Sequence, residues 1–292
     1  LVHGQAAAAL QTVNRIGPVI EALWSDPAMR TRLAPLKISE LRHRGEAQID
    51  MGDRAAGLQS LSEAVALADE VAAADLRNVF LERRAATTRS ALAYHQLRAG
   101  QSNAALTNSR AYLAVISRQQ AAQPEVANLR VLRDDAITAL IEVLIAAGRP
   151  DEARAMALAQ IDAEAKQKTV AANDDSARLF SIAQAHHWQG MALLSANARD
   201  VKGLALIREG TERIDRALAS DPFDANMQRM LAEQRVQAGD ALRRDDPARA
   251  CVLFAKADEA FATLKSEQRL SANFTQVSAH ASTRAAECAA GR

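Results

Sequence analysis

Two columns of turn signals recur along these 292 residues at a nearly constant interval, and that interval constrains the fold more tightly than any single residue. Ser25-Asp26-Pro27, Ala74-Asp75, Ala122-Gln123-Pro124, Ala172-Asn173-Asp174 and Ser220-Asp221-Pro222 place Asp26, Asp75, Gln123, Asn173 and Asp221 at successive spacings of 49, 48, 50 and 48. A second column falls midway: Met51-Gly52-Asp53, Ala99-Gly100-Gln101, Ala147-Gly148-Arg149, Ala196-Asn197-Ala198 and Arg244-Asp245-Asp246. Self-similarity at such a period marks stacked units, each of which buries its apolar face only against its neighbours. The expected fold is all-α, a solenoid of about twelve helices in antiparallel pairs, because short turns make successive helices run antiparallel.

Composition agrees. Aromatic residues are only 3% and glycine and proline gather at the periodic turns, which gives strands little support. In the third helix Leu58, Leu61, Ala64, Val65 and Ala68 form one stripe at i, i+3 and i+4 spacing. Pro27, Pro150 and Pro247 fall at helix starts, where a missing N–H is harmless, and Asp26 is placed to cap. Pro18 lies within the first helical segment and is expected to kink or split it. A repeat array needs no domain boundary, so one continuous domain is expected: residues 1–24 as an N-terminal juncture helix, 25–269 as repeats and 270–292 as a capping helix.

The charges nearly balance, 36 basic against 35 acidic side chains, and they interleave along the helices, so no basic face for nucleic acid is expected. The longest apolar stretch, Ala136 to Ala147, is interrupted by Thr138 and Glu142 and cannot span a bilayer. With Leu1 as the first residue and no signal segment, the chain is expected to be a piece of a longer protein, touching a membrane only through a segment outside it.

Aligned on their turns, the units put Gly57, Ala105, Ala153, Gly203 and Ala250 in one column, with Leu61, Ser109, Ala157, Ile207 and Phe254 four residues later. Gly45, Ala93, Ile141, Met191 and Ala238 form a third column before the turn. A residue that is always small marks a close helix crossing. These columns resemble the tetratricopeptide repeat, with a period lengthened from about 34 by roughly two turns per helix. Ile141 and Met191 are large where that family prefers glycine. The Ala-Ala-Asp-Pro-like junctions, the Arg-rich helix start at Leu129-Arg130-Val131-Leu132-Arg133-Asp134 and the stretch Leu41 to Gly52 look like the repeat region that follows the membrane span of certain bacterial serine/threonine kinases. That resemblance implies a non-catalytic, outward-facing part, since no glycine-rich loop, HRD or DFG is present.

Cys251 lies 18 residues before the last turn near Arg269 and Cys288 lies 19 after it, so paired antiparallel helices bring the two to one height. A disulfide stapling the last hairpin, in an oxidising compartment, is the expected reading; two small, reduced, buried residues are the alternative. His186, His187 and Trp188 are a poor metal site, because adjacent helical side chains diverge by about 100° and no further ligand follows at helical spacing. Asp134-Asp135, Asp174-Asp175 and Asp245-Asp246 read as helix-start acids. No catalytic residue, metal or cofactor is expected.

Trp188 is read in one register with Arg42, Glu142 and Arg235, and with Tyr94 four residues on, along the first helices; these five are the expected groove-facing binding residues, Trp, Tyr and Arg being the types that anchor recognition. Trp188 as a filler between hairpins is the competing reading. Two functions follow. One is a periplasmic sensor domain of a membrane serine/threonine kinase, binding a peptide, a protein or an envelope component and signalling through changed solenoid or homodimer geometry. The other is a cytoplasmic scaffold or regulator that holds a client protein with the same face.

Overall fold

The computed structural model describes residues 3–166, 176–220 and 225–291. Among them the chain is all-helical, with no strand, and forms twelve α-helices. These are α1 (His3–Trp24), α2 (Pro27–Asp50), α3 (Arg54–Ala74), α4 (Val79–Arg98), α5 (Ser102–Ala122), α6 (Ala127–Ala146), α7 (Pro150–Lys166), α8 (Ser176–Ala196), α9 (Val201–Ser220), α10 (Ala225–Leu242), α11 (Pro247–Ser266) and α12 (Thr275–Ala290). Helices pack mainly on their sequence neighbours, most extensively α2 on α3, α4 on α5, α8 on α9 and α10 on α11.

Turn chemistry sets these boundaries. Gly52, Gly100 and Gly148 adopt φ of 96°, 75° and 70°, a left-handed conformation that costs a residue without Cβ nothing. Each closes its helix with paired reverse bonds: Asp53 N–H donates to Gln48 O at 2.8 Å and Gly52 N–H to Ile49 O at 2.9 Å, and the same pattern recurs at Gln101 and Arg149. It recurs once more at Arg269, where Gln268 takes the left-handed position with φ 56°. At helix starts, Asp26, Asp53, Asn78 and Asp246 accept backbone N–H bonds through their side chains.

The junctions are longer than the sequence suggests. Asp75 ends α3 rather than capping α4, and Asn78 caps α4 by accepting from Leu81 N–H at 3.2 Å. The start of α12 moves from 270 to Thr275, because residues Ala272–Phe274 form a 3-10 turn first. Pro18 does not split α1, which runs through it, and α2 likewise runs through Pro35. The expected junctions at Asn173 and Asp221, and the pair Asp174-Asp175, lie outside the described residues.

The helices group into two compact units, and the division falls inside α6. The first comprises residues 1–143 with Ser271–Asn273, the second residues 144–270 with 274–292. In the first unit α2 and α3 meet at Gly45 and Gly57. A Cβ on Gly45 would lie 2.7 Å from Gly57 O, and one on Gly57 would lie 2.6 Å from Gly45 O, so the backbones touch directly. Around this crossing Ile49, Leu61, Val65 and Leu92 form one core cluster. A second joins Ala86, Tyr112, Ile116 and Ala136 across α4, α5 and α6, and a third joins Ile38, Ala68 and Ala85.

The second unit repeats the close crossing between α8 and α9, where a Cβ on Gly190 would lie 2.9 Å from Gly203 O. The small partner is therefore Gly190, not Met191. The turn from Asn197 to Asp200 is one residue longer than the three-residue turns after α2, α4 and α6, which moves the contact back by one. Ala183, Ile214, Ala217, Met227 and Leu231 form the neighbouring core. Between α10 and α11, Gly239 sits beneath the Phe254 ring, 2.7 Å from a would-be Cβ. Cys251 on α11 and Cys288 on α12 are joined as a disulfide, with Cα atoms 5.6 Å apart.

Candidate functional site

In the first unit α4 turns Phe80, Arg83, Arg84, Thr87 and Thr88 toward α2 at i, i+3, i+4, i+7 and i+8 spacing, one face of a helix. Facing them, α2 contributes Ile38, Ser39 and Arg42, and the two helices flank an open cleft of about 310 Å³. That volume sits at the small end of the range typical of ligand sites, about 300–1,000 Å³. No acidic side chain lines it. Phe80 is 61% exposed, and Leu76 and Val79, just before it in the chain, are exposed too.

The guanidinium groups of this cleft are held in place by their neighbours. Arg42 Nε donates to Glu46 Oε1 at 2.8 Å, one turn along α2. Arg83 Nε donates to Gln119 Oε1 at 2.9 Å, and the Gln119 amide is itself oriented by donating to Glu82 Oε2 at 2.8 Å and Val79 O at 3.1 Å. Arg84 Nη2 donates to Pro35 O at 2.7 Å and to Ser39 Oγ. Thr87 and Thr88 both give their hydroxyl protons to Arg84 O, at 3.0 and 2.8 Å.

A polar band continues through the same unit. Tyr94 stacks edge-on against His95 with centroids 5.0 Å apart, Arg98 lies over the Tyr94 ring at 5.2 Å, and Arg98 approaches Glu142 at 3.9 Å. His95 is buried, and burial lowers its pKa against the opposing pull of Glu46 and Asp50. Three of the five expected groove residues, Arg42, Tyr94 and Glu142, thus lie in the first unit and are partly exposed.

Trp188 and Arg235 differ from expectation: both are buried, at 9% and 6% exposure, in the second unit. There α8 packs against α10 as well as α9, so the register that faces outward in the first unit is covered. Arg235 Nη2 pairs with Asp215 Oδ1 at 2.6 Å, and Trp188 lies edge-on to His187 at 5.0 Å. Among the described residues no group of three His, Cys, Asp or Glu is placed to hold a metal. Asp134 and Asp135 lie two turns into α6, not at its start, because α6 begins at Ala127. Asp246 does cap α11.

Among the described histidines, His187 is the most perturbed. Its ring is fully buried, Nε2 donates to Gln237 Oε1 at 2.7 Å, and burial pushes the pKa down to about 4. An unfolded chain protonates this ring near pH 6.5. Between pH 6.5 and 4 the unfolded state therefore binds a proton that the folded state refuses, so stability present at neutral pH is lost as pH falls through that window. Holding the ring neutral down to about pH 4 corresponds to about 3 kcal/mol. Denaturant unfolding at pH 7 and pH 4 should show that loss, and His187→Gln should remove this part of the slope; an unchanged slope contradicts it.

Sequence reading missed Arg83, Arg84 and Phe80. The signal was present as two adjacent arginines one turn after an aromatic, in the helix start equivalent to the Arg-rich start at Leu129. The chain matches no protein-family model, and it has no match among curated proteins.

Proposed function

We propose that this chain is a non-catalytic binding domain, a tetratricopeptide-like solenoid of antiparallel helix pairs whose first-helix face holds a peptide segment of a partner. The cleft between α2 and α4 carries this reading, because it joins a small, half-open volume to fixed polar groups and an exposed aromatic ring. The pairing of helices is supported by the close contacts: Gly45 lies seven residues before Gly52 and Gly57 five after it, as in two helices that fold back on a shared turn.

In its fuller form the proposal follows the repeat resemblance to an extracytoplasmic sensor of a bacterial membrane serine/threonine kinase. The Cys251–Cys288 pair at disulfide distance supports an oxidising compartment. No helix among the described residues is long and apolar enough to cross a membrane, so this reading requires a span elsewhere in the parent protein. Occupancy of the cleft acts by favouring one stacking of the hairpins over another, a population shift read out by the attached kinase.

Panning a library of random dodecapeptides against the domain tests the binding reading. Enriched peptides are expected to bind the wild type and to lose binding to Thr87→Trp, which fills the cleft. No enrichment, or binders indifferent to that substitution, overturns it.

A further inference from the structure

We infer that the cleft between α2 and α4 is a carboxylate site, taking an acidic side chain of an extended peptide while Phe80, with Leu76 and Val79, receives the apolar residue beside it. This deepens the binding reading above and rests on it.

Charge points to an anion. Arg42, Arg83 and Arg84 converge on one cleft with no acidic lining. Only Arg42 has a carboxylate partner, Glu46. Arg83 and Arg84 bond to neutral groups, an amide oxygen for the first and a backbone carbonyl and a hydroxyl for the second. Glu82, the acid beside them in the chain, is taken up by Arg118 and by the Gln119 amide. The Arg83 and Arg84 guanidiniums are thus oriented without being neutralised. Arg84 is half-buried and has no carboxylate partner among the described residues, so its charge is left for a ligand to meet. A carboxylate supplies that charge in the planar, two-oxygen form that a guanidinium fork fits.

The hydroxyls and the rim favour a peptide over a free inorganic anion. Thr87 and Thr88 give their protons to Arg84 O, so the oxygen of the partly exposed Thr87 remains an acceptor, suited to a peptide N–H. Phe80, Leu76 and Val79, at 61%, 88% and 48% exposure, offer apolar area that phosphate cannot cover and a neighbouring side chain can.

Fluorescence anisotropy with a labelled octapeptide carrying one glutamate between two leucines, and its glutamine counterpart, decides the matter on the intact chain. The glutamate peptide is expected to bind at least about tenfold more tightly, and more weakly as salt rises. Arg83→Gln is expected to remove that preference, and Arg84→Lys to remove most of it although the charge remains, because an ammonium cannot form the fork. Lys202→Gln, on α9, should leave it unchanged. Thermal melts establish that each variant folds; if Arg84→Lys does not, Arg83→Gln carries the test. Equal affinity for the two peptides, binding of neither, or wild-type preference in Arg83→Gln overturns the proposal. So does inorganic phosphate that binds more tightly than the peptide and displaces it. Library peptides that bind the cleft without acidic enrichment leave the binding reading standing and remove only this one.

Discussion

Gly57→Leu is expected to destabilise the protein by about 4 kcal/mol or more, measured by urea unfolding. Two effects oppose each other at this site. Leucine is a better helix former than glycine by nearly 1 kcal/mol, which favours the substitution. Against it, the first added atom meets Gly45 O at 2.6 Å and Ile49 Cγ1 closer still, so the obstruction is partly backbone and cannot rotate away. The helices must separate, and separation exposes the cluster of Ile49, Leu61, Val65 and Leu92. Losing the burial of two such side chains, at about 1.5–3 kcal/mol each, already exceeds the propensity gain several-fold. Lys202→Ala, on an exposed face, should fall within about half a kcal/mol of neutral. Similar unfolding midpoints for the two variants would refute the close crossing.

What the sequence makes legible here is whatever depends on local chemistry. Gly52, Gly100 and Gly148 mark turns because only glycine takes their φ cheaply, and Asp26 and Asp246 mark helix starts because their side chains reach orphan N–H groups. The small column at Gly57, Ala105, Ala153, Gly203 and Ala250 is likewise readable and is buried throughout. The column facing it slips at Met191, since a one-residue difference in turn length has no signature beyond the turn itself.

Burial on the first-helix face is not readable in the same way. Arg42 and Arg235 occupy equivalent registers, yet one is half-exposed and the other buried, because the difference lies in which further helix covers them. The cleft was hidden for a related reason. Its acceptors for Arg83 and Arg84 come from Gln119, 36 residues away, and from Pro35 and Ser39, more than 40 residues away, and no periodic pattern joins positions so distant.

Replacing Cys251 and Cys288 together by serine should cost about 4 kcal/mol, the chain-entropy value for a cross-link closing a loop of this size. The terminal helix has little else to hold it. Only Ala281 is fully buried on α12, and exposed ion pairs to α10, His280 with Asp240 at 2.8 Å and Arg284 with Asp240 at 3.5 Å, add little. The loss should therefore be local first. In hydrogen exchange, reductant should release the amides of α12 before those of α10 and α11. Both cysteines are partly exposed, so reductant can reach them. Protein taken from its native cells under alkylating, non-reducing conditions then reports the compartment: a linked peptide pair supports the extracytoplasmic sensor, and two alkylated thiols support the cytoplasmic scaffold instead. A double-serine variant as stable as the wild type would leave α12 held by packing and remove the staple from the account of the fold.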